Sequence, residues 1–305
     1  MELYWEGRNI TQYATITGCV HRDVSGGRCD ALELTLDHAS VWYKWGPRPD
    51  DEIVVTDLPF TTGRLFLGAV TPDGDKYRVI ARSVRRAGMR KICATYCAET
   101  LKSLFDKCAA ECQMESRLYG IDESTEFPFL VRSYEGAPAF LSRIGEWEGL
   151  TVKAYDGVFR GISLTMAQQR DPILRMNISA DQEGVTYTRR EGAKYTALTI
   201  ETPWAKATAR DTAAEGENQV TYSHLPAMDA AQAGRWARGL LMSRNREAER
   251  LTVETELNAA LSAMTRVDVA GGTDMDGKWI IDEAEHDLIG GSTRATMKRV
   301  VDTIQ

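Results

Sequence analysis

Apolar and polar residues alternate along the first ninety residues in short stretches that predict β-strands. Leu32, Leu34 and Leu36 alternate with less apolar positions, which is the period of two of a half-buried strand. The turn-forming residues 71–76 join two such stretches as a hairpin. Strands at this regular spacing are typical of a barrel or a sandwich. Residues 1–90 are therefore predicted to form one β domain.

The hydrophobic period changes to that of a helix after residue 90. From Cys97 to Cys112 the apolar residues recur at helical spacing and fall on one continuous face. Leu101, Leu104 and Phe105 belong to that face. The pattern predicts an amphipathic helix that covers an apolar surface.

A second short helix is predicted over residues 138–147. The stretch 150–164 then predicts a hairpin that turns at Asp156-Gly157. Residues 91–164 are expected to form a small α+β domain.

Residues 165–226 again resemble strands, except for residues 203–219, which are rich in Ala, Thr and charge and predict a long exposed loop. Strands are also predicted in the tail of the chain, where Trp279 and His286 lie on the stretch 278–286. Residues 165–305 are predicted to form the third domain.

A long helix is predicted over residues 229–250 of this third domain. Asp229 can cap it, and Trp236 and Leu240 lie on its apolar face. Arg235 and Arg246 are assigned to the opposite face, so the helix is expected to lie on a surface rather than inside a core.

Composition excludes several classes of protein. The 305 residues are 43% hydrophobic, and 37 basic against 44 acidic side chains give a net charge of −7. A disordered chain is excluded because enough apolar surface is present to bury a core. A chain with a net negative charge is a poor candidate for binding nucleic acid, because such binding neutralises phosphates with Lys and Arg. No membrane-spanning run and no signal peptide is recognisable, so the six cysteines are expected to be thiols in a reducing cytoplasm.

Cys93, Cys97, Cys108 and Cys112 are the candidate metal ligands, because four thiolates can complete a tetrahedral zinc or iron–sulfur site. Three of the four, Cys97, Cys108 and Cys112, share the apolar helix face, which favours the simpler interpretation that they are small core residues. We therefore predict no metal, no cofactor and no catalytic residue, with the cysteine site kept as the alternative.

His286 has acidic neighbours that could orient a general base, but a structural histidine is favoured on a strand.

The tail of the sequence resembles a known family of structural proteins. The stretch 230–255, the segment from Gly277 to Leu288 and the following Gly290-Gly291-Ser292-Thr293 resemble the phage late control protein D family, the baseplate hub proteins of contractile tails. Upstream, residues 30–36 followed by 51–55 match the opening of the family.

The resemblance implies an α+β, mainly antiparallel β fold with two tail-tube-like β-barrel domains, a small α+β unit between them and the long helix against the second barrel. It also implies a homotrimeric ring that joins the six-fold tail tube, or its initiator protein, to the three-fold central spike. The ring meets baseplate wedge proteins and leaves a channel through which DNA passes without specific binding. Such a protein belongs to the virion and is assembled in the host cytoplasm.

Two other functional classes remain open from the sequence. The first is an enzyme, either a tail-associated hydrolase or a metal-binding protein that uses the central cysteines. The second is a small β-barrel module that binds a carbohydrate or a peptide on an aromatic platform of Trp42, Tyr43 and Trp45. Core packing or a subunit contact is the favoured use of these rings.

Overall fold

A computed structural model describes residues 1–179, 181–190 and 192–305. These residues form a mainly antiparallel β protein with 22 strands and five α-helices. The first part of the chain contains eight strands and one short helix. Their bounds are β1 Glu2–Trp5, β2 Arg8–Asn9, β3 Ile16–Val24, β4 Ala31–Asp37, α1 Ala39–Trp45, β5 Glu52–Asp57, β6 Phe60–Thr61, β7 Leu65–Asp73 and β8 Lys76–Arg82.

The middle part mixes helices and strands, as the change of period predicts. Its elements are β9 Ile92–Thr100, α2 Leu101–Glu111, β10 Glu115–Tyr119, β11 Glu126–Glu135, α3 Ala137–Glu148, β12 Leu150–Tyr155, β13 Val158–Ser163 and α4 Leu164–Gln169. The predicted hairpin over 150–164 is confirmed, with β12 antiparallel to β13.

The last part returns to strands around one long helix. Its elements are β14 Leu174–Asn177, β15 Val185–Arg189, β16 Ala197–Glu201, β17 Lys206–Arg210, β18 Gln219–Tyr222, α5 Ala230–Arg246, β19 Glu249–Glu256, β20 Arg266–Ala270, β21 Gly277–Asp287 and β22 Ser292–Arg299. The Asp229 side chain accepts a hydrogen bond from the Gln232 backbone N–H at 2.7 Å, which confirms the predicted cap of α5.

Strands from both ends of the chain belong to one 14-stranded sheet. Its main path runs β15-β19-β22-β21-β3-β4-β8-β7-β5-β1-β2. The strands that begin the chain and those that end it are therefore joined edge to edge, through the antiparallel pairing of β3 with β21. We call this pairing the seam. The sequence did not predict it, because each half of the chain was expected to form its own domain.

Two further sheets and a two-stranded ribbon complete the fold. Strands β10, β13 and β12 form one sheet, β17, β16 and β18 form another, and β9 pairs with β11. The largest hydrophobic core joins α2 and α3 to the β17-β16-β18 sheet and to α5. Separate cores fill the β1–β8 region and the region of β19 to β22.

Three predicted elements differ in the structure. The long helix expected over 229–250 ends at Arg246, and β19 begins at Glu249. The expected loop over 203–219 contains β17, because Ala207 and Ala209 alternate with longer polar residues and pair with β16. The first amphipathic helix begins at Leu101 rather than at Cys97, because the Thr100 hydroxyl accepts a hydrogen bond from the Ser103 N–H at 3.1 Å and caps it there.

Candidate assembly site at the junction of the two β regions

The seam is a short antiparallel ladder between β3 and β21. It runs from the pair Val20 and Asp287 to the pair Val24 and Glu283. Both strands also pair on their other side, β3 with β4 and β21 with β22. An edge that would otherwise be free is therefore used to join the two β regions.

Ion pairs lie along the solvent side of the seam. Arg22 Nε is 2.7 Å from Glu285 Oε2, and Arg28 Nη1 is 2.5 Å from Glu283 Oε2. Both arginine side chains are about half exposed. Exposed pairs of this kind contribute about 0–1 kcal/mol each, so they favour the register of the seam more than its stability.

On the buried side of the seam, His21 and His286 face each other. Each side chain is 2% exposed, and the ring of Phe60 lies against both. The His286 Nδ1 lies 3.0 Å from the Thr293 hydroxyl, whereas neither ring nitrogen of His21 has a protein partner. Burial lowers the pKa of His21 to about 4 and also lowers the pKa of His286. Both rings are therefore neutral at pH 7.

Lys153 on β12 connects the middle part of the chain to the buried side of the seam. Its ammonium forms a buried ion pair with Asp23 of β3. The Asp23 carboxylate also accepts hydrogen bonds from the Ser262 hydroxyl at 2.5 Å and from the Ala263 N–H at 3.1 Å. Burial acts to raise the pKa of Asp23, but Lys153 and these donors outweigh it and lower the pKa. Asp23 is thus an anion held by two other parts of the chain.

Asp30 adds a second buried carboxyl close to this ion pair. Burial raises its pKa to about 8, and the neighbouring negative charge of Asp23 acts in the same direction. Its Oδ1 accepts a hydrogen bond from the Val24 N–H at 3.0 Å. Asp30 is therefore mostly protonated at pH 7.

The Asp23–Lys153 pair and the two histidines line a cavity of about 260 Å³ where the three parts of the chain meet. Its lining includes His21, Phe60, Lys153, Tyr155, Ser262 and His286. A buried polar network is stable only when its members stay in register, because an unpaired buried charge is costly. The junction therefore fixes the orientation of the two β regions relative to the middle unit. Sequence reasoning singled out His286 here but missed Lys153 and Asp23.

Trp236 and Leu240 are both buried on α5. The Trp236 ring centroid is 4.6 Å from that of Trp147 on α3, and its Nε1–H donates to Glu148 at 2.7 Å. The other side of α5 covers β16 and β17. The long helix is thus shared between the middle unit and the three-stranded sheet of the last part, whereas the sequence placed it on a barrel alone.

The assignment of Arg246 to the outer face of this helix is wrong. Its side chain is 7% exposed, and the negative charges of Asp282 and Glu247 interact favourably with its guanidinium. The helix ends at this residue, and Asn245 and Arg246 of its last turn are both buried. Arg235 does lie toward the outside and forms an ion pair with Glu148 at 3.0 Å.

Trp279 is fully buried in the core of the last part of the chain. Its Nε1–H donates to the Met275 carbonyl at 2.8 Å, and the guanidinium of Arg299 lies 4.4 Å from its ring centroid. The polar end of this large ring is satisfied without solvent.

The four candidate metal ligands are divided by the fold. Cys93 and Cys97 are exposed on β9, whereas Cys108 and Cys112 are buried beside α2. Burial raises the pKa of both buried thiols to about 12, which disfavours the thiolate that a metal binds. Across 1–179, 181–190 and 192–305, no group of three or more His, Cys, Asp or Glu side chains is arranged to hold a metal ion.

The aromatic residues of α1 divide in a similar way. Trp42 is buried and its ring lies 6.5 Å from that of Trp5, whereas Tyr43 and Trp45 are exposed. One of the three rings is therefore core. None of the described helices combines the length and apolar character needed to cross a bilayer.

Solved structures with a similar fold include a prophage tail protein, a second tail protein and a component of a secretion system. The 43 kDa tail protein of prophage MuSo2 from Shewanella oneidensis is similar with a TM-score of 0.74 at 11% identity, over 100% of this chain and 99% of that one. A tail protein from Neisseria meningitidis gives a TM-score of 0.74 at 12% identity, over 99% and 98% of the two chains.

An Escherichia coli component of the type VI secretion system, described as structurally similar to two T4 bacteriophage tail proteins, gives a TM-score of 0.61 at 11% identity. It covers 97% of this chain and 76% of that one. No protein-family description and no curated protein sequence matches the chain. At this identity the likeness shows a shared fold, and the resemblance to tail proteins expected from the sequence is confirmed at that level.

Proposed function

We propose that three copies of this chain form the baseplate hub of a contractile phage tail or of a tail-like injection particle. The observation that carries the proposal is the fold likeness to a prophage tail protein and to a second tail protein along essentially the whole chain. The order of motifs in the sequence supports the same family. The role is structural, and it requires no bond to be made or broken.

In the proposed ring, each copy contributes two tube-like barrels, one from each β region, and three copies contribute six. The ring thereby joins a six-fold tail tube, or its initiator, to a three-fold central spike. The seam supports this arrangement because β3 and β21 already join two β regions edge to edge within one chain. The same kind of pairing can continue between copies at the ends of the large sheet, β15 and β2.

The acidity of the chain suits a channel for DNA. Each copy carries a net charge of −7, so a trimer carries −21. Acidic side chains on the channel wall repel phosphates, and the DNA then slides without being held. Baseplate wedge proteins surround the ring in this proposal, and the particle is assembled in the cytoplasm of the bacterial host.

Electron cryomicroscopy of the particle that contains this chain tests the proposal. We expect three copies of the chain between the end of the tube and the spike, around an open channel. Six copies within the tube, or a position outside the channel, would contradict it.

A further inference from the structure

The ion pair of Lys153 and Asp23 is deeply buried, and neither partner shares its charge with a second ion pair in the described ranges. Both side chains are 8% exposed. In the Lys298–Asp282 pair the exposed fractions rise to 14% and 17%, and the Lys298 ammonium is shared with Glu247 at 2.5 Å. Lys153 and Asp23 therefore face each other alone and largely out of water.

The two carboxylate oxygens of Asp23 have different partners. The Lys153 Nζ contacts Oδ1, so this nitrogen lies one bond away from the carboxyl carbon Cγ. The other oxygen, Oδ2, accepts hydrogen bonds from the Ser262 hydroxyl at 2.5 Å and from the Ala263 N–H at 3.1 Å. Two neutral donors aimed at one carboxyl oxygen form the arrangement of an oxyanion hole, which stabilises negative charge that develops during acyl transfer. The junction thus places an amine, an acyl carbon and an oxyanion hole together.

We propose that Lys153 and Asp23 condense after folding into an isopeptide bond between Nζ and Cγ. The ion pair in the structure is the state before this reaction. The chain supplies both the amine and the acid, so no second reagent is required. The inference goes beyond the proposed hub function and does not depend on it.

The reaction balances with one molecule of water as its by-product. The lowered pKa of Asp23 keeps the shared proton on Lys153 in the ion pair, so the first step moves that proton from Nζ to Oδ1 across their contact. The Nζ lone pair then attacks Cγ, and Oδ2 takes the negative charge between Ser262 and Ala263. A second proton passes from the nitrogen to Oδ1, the Cγ–Oδ1 bond breaks, and the carbonyl re-forms at Oδ2. Two of the three ammonium protons leave in the water, and one stays on the amide.

Orientation and burial both favour this condensation. Groups held in contact within one molecule react with effective molarities of about 10⁵–10⁸ M. The product is neutral, so the reaction also removes two charges whose burial is costly. The released water has an exit, because Lys153 and Asp23 line the cavity at the junction. The bond joins positions that are 130 residues apart, and it therefore keeps β3 and β12 connected even when the chain unfolds.

Mass spectrometry of the purified full-length protein tests the proposal. After denaturation, the wild type should be lighter than its sequence mass by one water molecule. Trypsin should then fail to cleave after Lys153, and it should release residues 23–28 joined to residues 144–160. A wild type that keeps its full sequence mass after prolonged incubation, or that releases the two fragments separately, would overturn the proposal.

Two lysine variants provide the matched control. Lys153→Arg keeps the positive charge, but its guanidinium is not a nucleophile, so this variant should keep its full sequence mass. Lys298→Arg changes the less buried pair with Asp282 and should still lose one water molecule. Loss of water in Lys153→Arg would overturn the proposal, because the water would then come from another site. The joined fragments of the wild type decide the question even if Lys153→Arg does not fold.

Two serine variants test the oxyanion hole. Ser262→Ala removes one of the two donors to Oδ2, and freshly synthesised protein should lose its water about 10²–10³-fold more slowly than the wild type. Ser243→Ala removes a hydroxyl that donates to Glu146 at 3.2 Å, away from the reacting atoms, and should leave the rate unchanged. Equal rates in the two variants would overturn the assignment of Oδ2 as the atom that carries the developing charge.

Discussion

His21 on β3 lies directly opposite His286 on β21, with the two imidazole rings 6.2 Å apart and inclined by only 12°. This pair marks the centre of the seam, where the beginning of the chain meets its end. Lys153 and Asp23 bring the middle of the chain to the same point. The fold is therefore held together by a polar junction as well as by its separate apolar cores.

The buried histidines predict a loss of stability in mild acid. The pKa of His21 falls from 6.5 to about 4 on folding, so the unfolded chain binds a proton first as the pH falls. The neutral His21 contributes its full share of the free energy of unfolding above pH 6.5. This contribution, about 3 kcal/mol, is lost as the pH falls from 6.5 to 4. The variant His21→Phe should lose less free energy of unfolding over this range, as measured by denaturant titration at each pH.

The comparison of the wild type with His21→Phe separates the pH dependence that is due to His21 from that of the other titratable groups at the junction. Asp30 acts with the opposite sign, because its raised pKa makes the folded state more stable as the pH falls below about 8. Asp23, Lys153 and His286 also face the junction. All four groups are present in both proteins, so their contributions largely cancel in the difference. Equal pH dependence of the wild type and the variant would contradict the assignment.

The buried ion pair predicts a large cost for removing one partner. Lys153→Met leaves Asp23 buried without its counter-ion, and we expect a loss of about 3–5 kcal/mol in the free energy of unfolding. Lys76→Met removes one partner of the more exposed pair with Asp37, where the distance is 2.6 Å, and should cost less than about 1 kcal/mol. Similar losses of unfolding free energy for the two variants would contradict the burial of the Lys153–Asp23 pair.

Two glycines of the same helix make a matched pair. A Cβ at Gly239 would lie 2.2 Å from the carbonyl oxygen of Trp147, whereas a Cβ at Gly234 would come no closer than 3.9 Å to Ala207. Gly234→Ala should stabilise the protein by up to about 1 kcal/mol through helix propensity. Gly239→Ala should destabilise it by about 1–3 kcal/mol, because α5 must move away from α3. Thermal unfolding measures both, and a stabilised Gly239→Ala would rule out the close approach of the two helices.

Trp236 predicts a severe effect on folding. Its ring fills the core between α5 and α3, and its N–H is hydrogen-bonded to Glu148. Trp236→Asp buries a charge with no partner and should abolish soluble folded protein. Trp236→Phe keeps the apolar contact and should remain folded. A normal melting curve for the Asp variant would contradict this packing.

Much of the fold follows from local pattern, because burial of one face leaves a period in the sequence. Leu32, Leu34 and Leu36 alternate with less apolar residues, and all three are fully buried. Asp229 caps a helix whose apolar stripe includes Trp236 and Leu240. In contrast, β17 was missed because its inward side chains are the small residues Ala207 and Ala209.

The junction could not be predicted because its residues are far apart in the sequence. Asp23 and Lys153 each resemble an ordinary surface charge until the fold brings them together. One local signal was available: Lys153 lies within β12, where the residues on both sides are buried. A lysine inside a strand buried on both faces indicates a partner elsewhere in the chain.

The number of copies in the assembly distinguishes a trimeric hub from a monomeric protein or a six-fold ring. Native mass spectrometry and rotational averaging of particle images measure it on the purified full-length chain. For a trimeric hub we expect a species with the mass of three 34.0 kDa chains and a three-fold ring with an open centre. A chain that is monomeric both in solution and in the particle, or a six-fold ring, would contradict it.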